Sequence, residues 1–199
     1  MQYEVSTKGA LQRAINHMEQ VYHGRTATDV PSLEGIPHAD VAIRIALLAA
    51  VGQHRSTCIL SESFSPAQLL LHMLCIQGRV RLEDVAERRL EDTDFTRLSY
   101  AAAKISAAPL HLAACGEVCG MEQTAWDLLA MTNTHKLEVL VCEKRSVEGA
   151  DDWRSELEFL SRMSGVRVHL LAGRYPVQSG FNREWRQTAL PACAFAGEP

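Results

Sequence analysis

Residues 57–77 read TCILSESFSPAQLLLHMLCIQ, and this stretch decides the fold class. Thr57 to Leu60 is a short apolar run closed by polar residues, the pattern of a strand buried on both faces. Ser65-Pro66-Ala67-Gln68 follows. Serine suits a helix N-cap, proline suits the first helical position, and a glutamine three residues after the cap completes a capping box. The spacing predicts a helix through LLLHMLCIQ with Leu69, Met73 and Ile76 on its inner face. A buried strand running at once into a helix is the repeating unit of a parallel sheet flanked by helices.

The same alternation extends in both directions. A helix is expected from about Asp92-Thr93, with Phe95, Leu98, Ala102 and Ile105 at helical spacing and Pro109 at its end. Leu110-His111-Leu112 reads as a short strand. Glu122 to Thr132 reads as a helix with Ala125, Leu128 and Leu129 inward, and Leu137 to Cys142 (LEVLVC) is the clearest strand in the chain. Trp153, Leu157 and Leu160 then lie at i, i+4 and i+7, and Gly165 supplies a helix stop. Val166 to Leu171 makes another strand and Cys193-Ala194-Phe195 a last short one. Near the start, Ala10, Ile15 and Met18 suggest one helix and Asp40 to Val51 a second, with a candidate strand over Asp29 to Leu33 between them.

Composition agrees with one α/β domain over residues 1–199. The hydrophobic share of 47% and charged share of 22% suit a globular chain with a sizeable core. No run reaches the roughly 18 to 20 apolar residues that cross a bilayer, and the first residues lack the apolar core of a signal peptide, so a cytoplasmic protein without membrane contact is expected. The net charge of −4 gives no global positive field, and nucleic-acid contact would need a local basic patch. Cys58, Cys75 and Cys142 sit inside apolar runs, as reduced thiols do. Cys115 and Cys119 would supply half of a zinc site, but no second pair follows at finger-like spacing, so no metal site is expected.

From Ser65 to Leu112 the motifs follow an order that resembles the C-terminal, RecA-like motor domain of DnaB-type replicative helicases. The resemblance rests on Gln68 and Leu69 at the helix start, Leu74-Cys75, Arg79-Val80, Asp92-x-Asp94 with Leu98, and Pro109-Leu110. It extends more thinly to EGIPHADVAIRIALLAA at the place of the phosphate loop, LEVLVCEKRSVEG at that of the Walker B strand, and VRVHLLAGRYP at that of the sensor loop. It implies a RecA-like, mainly parallel sheet flanked by helices in a single domain, without the helicase N-terminal domain.

The residues that would carry the family's chemistry are altered. A phosphate loop needs a Gly-Lys-Thr run, the lysine for the β- and γ-phosphates and the hydroxyl for magnesium. Asp40, Val41 and Ala42 stand there, preceded by His38. A carboxylate facing phosphate at a few ångströms costs on the order of several kcal/mol at an effective dielectric of about 20. The catalytic carboxylate aligns with Ser63, one residue from Glu62; the Walker B aspartate aligns with Glu143; the sensor glutamine falls near Gly173. The resemblance thus implies a degenerate pocket of His38, Asp40, Val41 and Ala42 that takes neither ATP nor magnesium.

A noncatalytic, helicase-like protein of a replication, plasmid or mobile-element system is the expectation. Its partners would be a replicative helicase, another replication protein, single-stranded DNA or a second copy of the chain. Arg174, Tyr175, Phe181 and Arg183 mix cations with aromatics in the loop that faces DNA in the family. Two alternatives stand beside it: an NTPase with an atypical site using Glu62 and Glu143, and an interaction module unrelated to replication.

Each residue also has a plainer reading. Asp40 would be the N-cap of VAIRIALLAA, Glu143 a solvated strand-end charge and His38 an exposed loop histidine. Glu83, Asp84, Glu87, Arg88 and Arg89 would be a solvated helix face, and Trp126, Trp153 and Trp185 core or interface anchors.

Overall fold

A computed structural model describes residues 4–5, 9, 11–16, 37–114, 121–145 and 150–173. Its strands are β1 (Glu4–Val5), β2 (Thr57–Ser61), β3 (Leu110–Ala114), β4 (Val139–Lys144) and β5 (Arg167–Ala172). They form one sheet in the order β1-β3-β2-β4-β5, with β2 to β5 mutually parallel and the short β1 antiparallel to β3. The helices are α1 (Pro37–Leu47), α2 (Pro66–Gly78), α3 (Leu82–Ala86), α4 (Asp92–Ala107), α5 (Met121–His135) and α6 (Ala150–Ser164). Residues 11–16 are also helical. This is a single α/β domain with a mainly parallel sheet flanked by helices, consistent with a RecA-like fold. Among the described residues no helix is long and apolar enough to cross a membrane.

Strand alternation divides the core between the two faces of the sheet. Ile59, Leu112, Val141 and Leu171 face α1, α2 and α4, whose Ile43, Leu70, Met73 and Ile105 are fully buried against them. Cys58, Leu60, Leu140, Cys142 and Leu170 face the other way and pack on Leu128 of α5 and on Trp153, Leu157 and Leu160 of α6. With both faces covered, β2 is buried at every position.

The capping box at Ser65 is formed: Gln68 N–H donates to Ser65 Oγ, Ser65 N–H donates to Gln68 Oε1, and Pro66 opens the helix. Burial on α2 is broader than one stripe, for Leu69 to Cys75 are all buried, His72 included. On α4 the inward stripe is Leu98, Ala101 and Ile105; Phe95, expected inside, is 41% exposed, and Ala102 is only partly buried. Trp153 is buried as expected, whereas Trp126 is exposed. The carboxylates of Asp84 and Glu87 both pair with Arg89 on the surface around α3. β1 is an element that the sequence reading did not contain, the helix expected around Glu83 to Arg89 is the short α3, which ends at Ala86, and α1 ends in a π-helical turn, Leu48–Gly52. The expected strands over 29–33 and 193–195, Trp185, and the cysteines at 115, 119 and 193 lie outside the described residues.

The chain goes from β2 to β3 on one side, then crosses back over β2 to reach β4 on the other. The carboxyl ends of β2 and β4 therefore flank a topological switch point, where open parallel sheets place their ligands.

Candidate functional site

Ser61 and Glu143 are register partners at those two strand ends. In a parallel pair, partners present their side chains on the same face, here the one that α1 covers. Helix α1 starts at Pro37, and its inward stripe is His38, Ala39, Ala42, Ile43 and Ala46. The stripe leaves His38 in the first turn, directly over Glu143.

The result is a buried polar knot around one carboxylate. Glu143 is 1% exposed and His38 4%. Oε2 of Glu143 accepts from Ser61 Oγ at 2.6 Å and from Ser63 N–H at 3.1 Å. Oε1 accepts from Ser63 Oγ at 2.7 Å and pairs with His38 Nε2 at 3.0 Å. As the carboxylate only accepts, Nε2 carries the hydrogen. Ser61 Oγ in turn accepts from the backbone N–H groups of Ser63 and Phe64, at 3.2 and 3.0 Å. A carboxylate offers about four acceptor sites, and all four are taken. His38 Nδ1 is buried and has no hydrogen-bond partner among the described residues.

Three plain readings are corrected by this geometry. Asp40 is not an N-cap, because the helix begins three residues earlier, with proline in the first position it favours. It lies in the first turn and pairs with Arg44 at 2.8 Å, their side chains 34% and 46% exposed. His38 is a buried helical residue instead of an exposed loop histidine, and Glu143 is a buried acceptor instead of a solvated charge. The four residues expected to line one pocket do not converge: His38 and Ala42 face the sheet, while Val41 is 38% exposed and Asp40 turns to Arg44.

Glu62 lies apart from this knot. Its Oε2 accepts from the Arg145 backbone N–H at 3.1 Å and sits 3.5 Å from Lys144 Nζ. Lys144 also lies over the Trp153 ring of α6, on the face opposite α1. Glu62 and Glu143 therefore do not share a site. The first turn of α1 offers neither a lysine nor a hydroxyl at Asp40, Val41 and Ala42. Among the described residues no three His, Cys, Asp or Glu side chains are grouped to hold a metal. Arg174, Tyr175, Phe181 and Arg183 lie outside the described residues.

No protein-family model matches this chain, and no curated protein matches it.

Ser61 and the inward side of His38 escape a linear reading. The one available signal was Pro37, which favours a helix start before Asp40 and so turns His38 from a loop residue into a helical one.

Proposed function

We propose that this domain is a noncatalytic relative of the DnaB-type helicase motor that works by binding another macromolecule. One observation carries the reading: Glu143, which the resemblance sets at the place of the magnesium-holding carboxylate, has its acceptor sites filled by Ser61, Ser63 and His38. A nucleotide with magnesium does not fit these residues. The helix start lacks the lysine and hydroxyl that phosphoryl chemistry uses, and Glu62 at the adjacent strand end faces away to Lys144 and Arg145. A packed α/β core beside a filled carboxylate is what selection for a binding surface without catalysis would leave. Binding partners in this reading are a replicative helicase, another replication protein or single-stranded DNA, in a replication, plasmid or mobile-element setting within the cytoplasm.

Thermal-shift titration with ATP and magnesium tests the nucleotide half of the reading. A ligand at 100 times its dissociation constant would stabilise the fold by about 2.7 kcal/mol, and no shift is expected at millimolar ATP. Capture from the native host tests the other half. Enrichment of a helicase, replication protein or DNA is expected, and enrichment of none of them would overturn it.

A further inference from the structure

We infer that His38 is a built-in plug that occupies, with an imidazole N–H, the place beside Glu143 where a divalent cation would sit. The inference deepens the proposed function and rests on it. Its basis is the way the carboxylate is divided. Ser61 and Ser63 supply three of the four donors from β2 and the turn after it, while His38 alone reaches in from α1. Removing the imidazole would leave Oε1 with one free acceptor position, two serine hydroxyls nearby and a vacated volume beside them. Carboxylate, hydroxyl and water oxygens are the donors that magnesium and manganese prefer, in sites that keep several waters. A buried carboxylate stripped of one hydrogen-bond partner is left with poorly compensated charge, which a cation would offset.

The imidazole therefore does two things. It completes the hydrogen bonding of Glu143 without inorganic charge, and it closes the carboxylate to metal. His38→Gln retains an N–H donor of similar reach and should remain plugged. His38→Ala opens the position.

The test is Mn2+ binding followed by electron paramagnetic resonance, together with thermal unfolding in the presence and absence of Mn2+. Wild type and His38→Gln are expected to bind no Mn2+ at this position and to show unchanged melting. His38→Ala is expected to melt lower than wild type, to bind Mn2+ at this position where wild type binds none, and to regain part of its melting temperature in Mn2+. Adding Glu143→Gln should abolish both gains. Wild-type Mn2+ binding that is lost on Glu143→Gln would overturn the plug while leaving the absence of ATP turnover untouched. A His38→Ala chain that neither binds Mn2+ nor is stabilised by it, or that stays unfolded in its presence, would overturn it too. ATP turnover by the wild type would instead overturn the noncatalytic reading, whatever the Mn2+ result.

Discussion

Glu62 and Glu143 are joined at the backbone, where Glu62 N–H donates to the Glu143 carbonyl at 3.0 Å, yet their side chains live in different media. Glu143 turns to the α1 face, is almost fully buried and is held by three side chains and a backbone N–H. Glu62 turns to the α6 side, keeps 24% of its side chain in solvent and meets two cationic residues at the rim. The pleat of two adjacent strands is enough to separate carboxylates that look like a pair in the linear chain. What differs is the cost of disturbing each.

The widest gap is expected between the two alanine substitutions. Glu143→Ala strands His38 Nε2 and the serine donors in a buried site, and should cost about 3–5 kcal/mol in urea unfolding. Glu62→Ala removes a partly solvated ion pair and should cost no more than about 1 kcal/mol. Equal losses would break the comparison. Ser61→Ala falls between them, at about 1–3 kcal/mol, because it removes one donor to Glu143 and the shared acceptor of the Ser63 and Phe64 N–H groups.

Acid sensitivity adds a smaller effect that sharpens the buried side of the contrast. His169 on β5 has its pKa lowered below 6.5, first by burial and then by the nearby Arg167 guanidinium. As pH falls below 6.5, the unfolded chain takes up this proton before the folded one does. Stability contributed by the neutral folded imidazole is therefore present above that pH and lost as pH falls toward the lower folded value. His169→Gln should flatten the decline in denaturant midpoint between neutral and mildly acidic pH; an unchanged slope would show that other groups govern it. Cys75 offers a companion readout: burial, and then Glu83, push its thiol to about 12. It should resist alkylation at mildly alkaline pH until the domain unfolds.

The fold was largely legible because its signals are local. TCIL, LEVLVC, the Ser65 capping box, the Trp153-Leu157-Leu160 stripe and Gly165 each carry their meaning within a few residues. β1 was not, since two residues show no period and owe their place to Leu112 and Ala113 across the sheet. The knot was invisible for a related reason. Ser61 meets Glu143 across 82 positions only through strand register, and His38 meets it across 105 only through the phase of α1. Aspartate is a good N-cap, which gives Asp40 its plainer reading, but Pro37 takes the helix start and leaves Asp40 to Arg44.

The most direct test of the account is magnesium-dependent ATP hydrolysis by the purified domain, wild type against Glu143→Gln. A filled carboxylate predicts no turnover above background for either protein. Turnover by the wild type that disappears in Glu143→Gln would contradict it, because Glu143 would then be free to serve a metal and a nucleotide.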